Sequence, residues 1–339
     1  MKRNGIIAGG NFIIDFVKIV DVYPQQDALA NILRESASNG GGAYNVLVDW
    51  SQMGATFPLE AIGLVGDDAN GQSIFDDLYD RQIDTSQLQI TTEAATSYTD
   101  AMSVESSGRR TFFHRRGANA LLEDSHFDFT QTNAKIFYLA YLLLLDSLDA
   151  FDESGRTIAS RVLERAQNAG LKTAIDVVSE DGERFTQIVL PALQYVDYAF
   201  LNEFEAGRCT GLELRVDEKL QHRVLEVAAQ RLLEYGVREC VVIHFPEGAF
   251  ALSQSGEKFW QGSVALQSAQ IAGATGAGDA FCAGVLLALH NETSLQDALK
   301  LGVCAAASSL SQSTASLGVM SKHECLQLGE AFGFREVAV

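Results

Sequence analysis

The sequence predicts an α/β fold in which helices cover both faces of a mostly parallel sheet. Short apolar segments alternate with amphipathic segments along most of the chain, and this order is typical of parallel strands joined by helices. Some apolar segments, such as 241–243, have no polar position, as expected of strands buried on both faces. The chain has 339 residues, 47% of them hydrophobic, so we expect residues 1–339 to form one large domain.

The predicted elements follow one another in a regular order. In the helix predicted at 157–169, Ile158, Val162 and Ala166 share one face, and Gly170 follows as a stop signal. The same reasoning gives the following set: strands at 59–65, 136–142, 173–178, 198–201 and 240–245, and helices at 45–53, 72–82, 157–169 and 218–235.

Two segments break this alternation. Residues 15–38 and 96–116 contain strand-like pieces without an intervening helix. The second segment is predicted to be a hairpin, with strands at 98–104 and 110–114 joined by a turn around Gly108.

The composition argues against several classes of protein. The chain has 25 basic and 44 acidic residues, a net charge of −19, so we expect neither a nucleic acid nor an anionic membrane surface as a partner. The five cysteines are widely spaced and form no CxxC pair, so they imply neither a disulfide framework nor a zinc site. The longest apolar run, 136–145, is about half the ~20 residues needed to cross a bilayer. Without a typical signal peptide either, the chain is expected to be cytoplasmic.

The most informative segment is Gly273-Ala-Thr-Gly-Ala-Gly-Asp279, which is followed by an apolar run. Its glycines allow a tight turn, and the first N–H groups of the following helix would favour a phosphate. A carboxylate beside a phosphate site suggests phosphoryl transfer to a hydroxyl, with Asp279 as the base. A purely structural turn before a buried helix is the alternative. The segment is neither a Walker loop nor a dinucleotide fingerprint, because no Lys-Ser or Lys-Thr follows and the turn lies late in the chain.

Three other segments accompany this turn. Gly40-Gly-Gly-Ala-Tyr-Asn45 is a second glycine turn before a helix, Gly63-Leu-Val-Gly-Asp-Asp68 follows an apolar strand, and Asn202-Glu-Phe-Glu205 follows another. In this order and spacing, the set resembles the ribokinase-like (PfkB) family of carbohydrate and nucleoside kinases. The resemblance runs from Ile6 to about Leu328.

The resemblance implies a three-layer α/β/α sandwich with a small β lid, built from about 15–38 and 96–116, over the sugar site. It also implies that Asp279 is the catalytic base and that the backbone of Gly276, Ala277 and Gly278 forms the anion hole. Hydrogen-bond donors fixed in this way are often worth ~3–4 kcal/mol of barrier each.

The resemblance assigns further residues to substrates and metal. Thr275 and Gly278, with Asn202 and Glu205, would bind the nucleotide. Glu205 would help to place hydrated Mg²⁺; a capping pair of Asn202 and Glu205 at a helix start is the alternative, and it is compatible with the Mg²⁺ role. Four residues fall where the family grips the sugar hydroxyls: Asp15, Gly41, Asn45 and, less securely, Asn11. Four residues on or just after the hairpin are expected mainly as solvated side chains, with contact between one of them and a substrate hydroxyl, carboxylate or phosphate as the alternative: Arg110, His114, Arg115 and Asn119.

The chain departs from the family in three places. Gly273 and Ala274 replace an Asp-Thr pair whose Asp often helps to bind a monovalent cation, the segment 244–248 is atypical for the nucleotide side, and no acidic residue occurs at Ala140 or Tyr141. The expected function is an ATP- and Mg²⁺-dependent kinase for a sugar or sugar derivative, and a homodimer through the lid is possible. A nucleoside kinase and a catalytically weak sugar-binding or regulatory relative are the alternatives.

Overall fold

The computed structural model describes residues 2–180, 182–312 and 317–337. Fifteen strands lie within these ranges: β1 (Ile6–Gly10), β2 (Ile13–Val20), β3 (Ile32–Gly40), β4 (Leu59–Gly66), β5 (Asp84–Thr91), β6 (Ser97–Val104), β7 (Arg110–Arg115), β8 (Ile136–Leu142), β9 (Lys172–Val177), β10 (Tyr198–Asn202), β11 (Arg215–Val216), β12 (Lys219–Leu220), β13 (Cys240–Phe245), β14 (Gly248–Ser253) and β15 (Lys258–Gly262).

The same ranges contain ten α-helices. In chain order they are α1 (Gly42–Gln52), α2 (Ala69–Asp80), α3 (Asp146–Asp149), α4 (Ile158–Asn168), α5 (Phe185–Leu193), α6 (Glu203–Thr210), α7 (His222–Glu234), α8 (Ala277–His290), α9 (Leu295–Ser309) and α10 (Lys322–Phe332). Within the described ranges, no helix is both long enough and apolar enough to cross a membrane.

The central sheet has nine strands in the order β15-β14-β13-β10-β9-β8-β1-β4-β5. The seven strands from β13 to β5 pair in parallel, and β14 and β15 add an antiparallel edge. Strand β13 shows why the sheet is buried on both sides: Cys240 and Val242 pack in one apolar cluster, while Val241 and Ile243 pack in the other. Helices α1, α2, α8, α9 and α10 contribute to the first cluster, and α3 to α7 to the second. The predicted three-layer α/β/α fold is confirmed.

A separate four-stranded sheet has the order β3-β2-β6-β7. It is built from the two segments that break the strand-helix alternation. Strands β2 and β3 pair antiparallel, as do β6 and β7, while β2 pairs with β6 in parallel. The predicted hairpin at 98–114 is present, and the structure extends β2 and β3 to residues 13–40.

Three predicted helix starts are wrong by three or four residues, and one of them is α2, which begins at Ala69 rather than at residue 72. The helix expected from residue 218 begins at His222, because Asp217 and Glu218 have φ angles of 47° and 61° in the turn between β11 and β12. Residues with such angles cannot continue a right-handed helix. Helix α1 begins at Gly42 rather than at Asn45, directly after Gly41. Strands β8 and β13 have the predicted bounds.

Candidate active site

The glycine turn of residues 273–278 leads into the N-terminus of α8. Gly276 has a φ of 77°, in the left-handed region that glycine adopts without strain. The N–H groups of Gly278 and Asp279, in the first turn of α8, have no hydrogen-bond partner among the described residues. Unpaired N–H groups at the positive end of a helix dipole attract an anion. The turn therefore has the free backbone donors that an anion site would need.

Asp279 lies in the same helical turn and is buried. The amide of Asn45 donates a hydrogen bond from Nδ2 to Asp279 Oδ2 at 2.8 Å, and the Tyr141 hydroxyl donates to Oδ1. Burial raises the pKa of Asp279 to about 6, and the two donors partly offset that rise. The carboxyl is thus largely ionised at neutral pH, yet it is more basic than an exposed aspartate.

A cavity of about 490 Å³ opens beside Asp279 at the carboxyl ends of the parallel strands. We call it the first cavity. It contains every residue predicted for the site except Ala277: Asn11, Asp15, Gly41, Asn45, Asn202, Glu205, Thr275, Gly276, Gly278 and Asp279.

Gly41 holds β1 and α1 close together at this cavity. Its φ is 100°, and a Cβ there would lie 2.4 Å from the carbonyl oxygen of Asn11. Asn11 also accepts a hydrogen bond at Oδ1 from the backbone N–H of Tyr141, at 2.6 Å. The glycine is therefore needed for the packing that brings Asn11, Tyr141 and the start of α1 to one wall.

Asp15 lies on β2 of the small sheet, and its carboxylate fills space that a side chain at position 40 would occupy. A Cβ on Gly40 would lie 2.2 Å from Asp15 Oδ2. Burial, and then the charge of Asp279, raise the pKa of Asp15 to about 7. This carboxylate and the Asp279 carboxylate thus face the same confined space.

Asn202 and Glu205 form a capping box at the start of α6. Asn202 Oδ1 accepts from the Glu205 N–H at 2.9 Å, and Glu205 Oε2 accepts from the Asn202 N–H at 2.8 Å. Ser179 donates to Glu205 Oε1 at 2.8 Å and accepts from Asn202 Nδ2 at the same distance. The alternative of a helix cap is therefore present in the structure, and the cap places Glu205 at the wall of the first cavity.

Asp176 is a wall residue that the sequence reasoning missed. It lies on β9, buried, where it accepts hydrogen bonds from the Tyr138 hydroxyl at 3.2 Å and from the Cys282 thiol at 3.4 Å. Burial raises the pKa values of both Asp176 and Glu205, and their mutual repulsion raises that of Glu205 further. The signal in the sequence was a single carboxylate between the apolar residues Ile175 and Val177 of a predicted strand.

The small sheet contributes one wall of the first cavity, through Ile13, Asp15, Thr99, Arg110, Phe112 and His114. Arg110 donates from Nη1 to the Thr275 hydroxyl and so touches the glycine turn. His114 Nδ1 lies 2.9 Å from Thr99 Oγ1, and burial lowers its pKa to about 4. The expectation of a solvated surface side chain is wrong for Arg110 and His114, because their hairpin folds over the cavity, and for Asn119, which is buried.

A second cavity, of about 550 Å³, lies on the other side of the glycine turn. Its walls come mainly from the end of β13, the turn to β14, and helices α8 and α9, and most of the side chains are apolar: Phe204, Phe245, Pro246, Val264, Leu266, Ile271, Phe281, Val303, Ala306, Ala307 and Leu310. Ala277 lines this cavity rather than the first. A flat apolar ring system could be held here while a charged tail reaches the start of α8.

The two cavities adjoin each other at the glycine turn and the start of α8. Residues 5–322 match the model of the pfkB family of carbohydrate kinases, and the chain belongs to that family. It is accordingly a phosphotransferase with an alcohol group as acceptor.

Three similar proteins share 20% to 27% sequence identity with this chain. The chain is 27% identical over 307 residues to "Probable fructokinase-7" of Arabidopsis thaliana, covering 87% of this chain and 82% of that protein. Ribokinase from Thermotoga maritima has the same fold, with a TM-score of 0.78 at 20% identity over 96% of this chain and 99% of that one. The structure of Arabidopsis thaliana ribokinase with ribose and ATP gives the same score and identity, over 96% and 98% of the chains.

Proposed function

We propose that the chain transfers the γ-phosphoryl group of ATP to a hydroxyl of a sugar or sugar derivative. Asp279 acts as the general base, and the 276–279 backbone is the anion hole. The observation that carries the proposal is the pairing of unbonded N–H groups at Gly278 and Asp279 with a buried carboxylate whose pKa is about 6. One feature binds the transferring phosphoryl group, and the other takes the proton of the attacking hydroxyl.

The second cavity is proposed as the nucleotide site. Its apolar walls suit the adenine ring, and the start of α8 suits the phosphates. Asn202, Thr275 and Gly278 then lie along the phosphate chain, since each lines the first cavity beside the glycine turn. The structure of a relative with ribose and ATP supports this choice of donor.

The donor set of the first cavity suits a hard cation. Carboxylate oxygens are the ligands that Mg²⁺ prefers, and Glu205 and Asp176 place two carboxyl groups at one wall. No group of three or more His, Cys, Asp or Glu side chains is arranged to hold a metal among the described residues. Because two carboxyl groups alone do not fill the coordination sphere of Mg²⁺, Glu205 and Asp176 would hold it together with phosphate oxygens and water. Bound Mg²⁺ would neutralise charge on the phosphates.

The first cavity is proposed as the acceptor site, with Asp15, Asn45, Asn11 and the Gly41 backbone around the sugar hydroxyls. Asn45 offers both a donor and an acceptor, which suits a vicinal diol. Ile13, Phe112 and Leu144 add an apolar strip to the same cavity, and this strip favours a nucleoside as the second candidate acceptor.

The small sheet is proposed as a lid that excludes water from the transferring group. Its residues line the first cavity, and Arg110 already reaches the glycine turn. Most of edge strand β3 is exposed, and exposed apolar side chains lie on and near this sheet: Val22, Leu29, Ile32, Leu33, Phe112 and Phe113. An exposed edge with apolar neighbours favours pairing with a second copy. A homodimer through the lid is therefore part of the proposal, and sedimentation of the purified chain tests it.

ATP consumption across a panel of sugars and nucleosides tests the proposed function. The Asp279→Asn protein, purified in parallel, is the matched control for contaminating kinases. Selective turnover of a sugar supports the proposal, and selective turnover of a nucleoside supports the alternative. Sugar binding by calorimetry without turnover would point to the regulatory relative instead.

A further inference from the structure

Asp49 is a residue of helix α1 whose carboxyl group the proposed mechanism does not use. Its side chain is fully buried and lines neither the first nor the second cavity. Neither of its oxygens has a hydrogen-bond partner among the described residues. A carboxylate that is buried without a partner is strongly disfavoured, whereas a neutral carboxyl group costs much less. We therefore expect the observed packing of α1 to hold Asp49 in its neutral form.

Helix α1 is joined to helix α8 on both sides of Asp49. Asn45 lies one helical turn before Asp49, on the same face of α1, and donates from Nδ2 to Asp279 Oδ2 at 2.8 Å. Trp50, the next residue, donates from Nε1 to the backbone oxygen of Ala283 on α8 at 2.9 Å. A movement of α1 at Asp49 would therefore act on the hydrogen bond between Asn45 and Asp279.

The charged and titratable groups around Asp49 mostly oppose its ionisation. Burial, and then the charge of Asp279 on α8, raise the pKa of Asp49 well above its usual value, and Arg81 at the end of α2 partly offsets this rise. Cys325 on α10 is a further titratable neighbour: burial, and to a smaller extent Asp49, raise the pKa of its thiol. Beneath α1, β8 adds Tyr138, whose hydroxyl is bonded to a carboxylate of β9, and β1 and β4 add apolar side chains. Because Asp279 has two donors and Asp49 has none, we expect Asp279 to ionise first as the pH rises.

We propose that Asp49 is a proton-operated positioning residue for the catalytic base. While its carboxyl group is neutral, α1 packs against α8 and Asn45 holds Asp279. When the group ionises, the uncompensated charge draws this part of α1 away from α8, and Asn45 loses its hydrogen bond to Asp279. The enzyme thus loses turnover at alkaline pH in a reversible step. The effect on turnover rests on the proposed function, because it assumes that Asp279 is the base.

Variants that cannot ionise at position 49 separate this role from simple packing. Asp49→Asn keeps the shape of the side chain, and Asp49→Ala is a second such variant with a high helix propensity. Asp149→Asn is the matched control, because burial raises the pKa of Asp149 to about 6, but this residue lies on α3 in the other apolar layer. The chain has two tryptophans, so a Trp260→Phe parent protein leaves Trp50 as the reporter of the α1–α8 contact in every variant.

Tryptophan fluorescence and initial rates from pH 5 to 10 measure the effect. We expect the emission of Trp50 to shift to longer wavelength in one reversible, one-proton step, because the indole loses apolar surroundings when α1 leaves α8. The step should be absent from Asp49→Asn and Asp49→Ala and unchanged in Asp149→Asn. Over the same step the kcat of the parent should fall by about 10- to 100-fold, the scale of one hydrogen bond to a charged group. Asp49→Asn should match the parent kcat at pH 7 within about twofold and show no such fall.

Several results would overturn the role of Asp49. The absence of an emission step in the parent would do so, and so would a step that persists in both Asp49 variants, because another group then titrates. A step in emission without a fall in kcat would show that Asp49 does not position the base, and a large loss of kcat at pH 7 in both variants would indicate packing alone. If the chain phosphorylates no acceptor at any pH, the proposed function fails, while the emission step and its loss in Asp49→Asn still decide whether Asp49 controls the α1–α8 contact.

Discussion

Replacing Asp279 with Asn removes the proposed base while keeping the shape of the side chain. The amide oxygen can still accept the hydrogen bond that Asn45 donates at 2.8 Å. The Tyr141 hydroxyl can turn to accept from the new amide nitrogen, because a hydroxyl both donates and accepts. The fold and nucleotide binding should therefore persist. We expect kcat to fall by about 10²–10⁴-fold, or ~3–5 kcal/mol of barrier, which is the usual contribution of a positioned general base.

The pH dependence makes the test specific to Asp279. Its pKa of about 6 predicts that kcat/KM rises with pH through this value and levels off above it, since the carboxylate must be ionised to accept the proton. The pH profile of the Asp279→Asn protein should lack this rise, which we call the limb. In Tyr141→Phe the carboxylate loses a donor that lowers its pKa, so the limb should move to higher pH.

Initial rates from pH 5 to 9, at saturating ATP and varied acceptor, measure these effects. Asp15→Asn serves as a comparison, because Asp15 also has a raised pKa, of about 7, and the Asp279 limb should remain in that variant. Near-wild-type turnover in Asp279→Asn, or a limb near pH 6 that survives in it, would refute the assignment.

Three further predictions concern other parts of the chain. Asp15→Ala should raise the acceptor KM and leave the ATP KM nearly unchanged, since an unpaired hydroxyl partner costs ~1–3 kcal/mol; a loss of ATP affinity alone in steady-state assays would contradict the placement of the acceptor site. Potassium should activate the enzyme weakly or not at all, because Gly273 lacks a carboxylate that would be worth up to ~4 kcal/mol to a cation about 4 Å away; saturable activation of tenfold or more in a potassium titration would show that the reasoning is mistaken. Asp49 on α1 is buried, its two carboxylate oxygens have no partner among the described residues, and burial raises its pKa well above the usual value. The folded chain therefore favours the protonated carboxyl. The stability that this form contributes is fully present below the pKa of the unfolded chain and is lost as the pH rises through the folded pKa. Between pH 4 and 8, the melting temperature in thermal unfolding should fall by less for Asp49→Asn than for the wild type. An equal fall in the two proteins would contradict this.

The sequence predicted those parts of the fold whose signals are local. Strand β13 has the predicted bounds because its mainly apolar run is preceded by Glu239 and followed by Pro246 and Glu247. The start of α7 was missed because Asp217 and Glu218 take positive φ in a small hairpin, and no apolar periodicity reports such a turn. Local patterns therefore locate a buried strand more reliably than the first turn of a surface helix.

The residues of the candidate site also differ in whether their sequence signals are local. Residues beside glycine turns or at strand ends, such as Asp279 and Asn45, were found because the motif itself places them. Asp176 was missed because its partners, Tyr138 and Cys282, are 38 and 106 residues away and meet it only in the folded sheet. Arg110 and Thr275 are separated by 165 residues, so no spacing rule could have joined them.

The environment of Asp279 shows why such distant contacts matter for the chemistry. Burial alone would raise the pKa of the carboxyl further and so favour its protonated form, and a protonated acid cannot accept the hydroxyl proton. Asn45, 234 residues away, and Tyr141, 138 residues away, each donate to the carboxylate and lower its pKa. The balance leaves the pKa at about 6, just below neutral pH, where a base is both ionised and strong. The glycine turn positions the carboxylate, and its two donors from α1 and β8 set how basic it is.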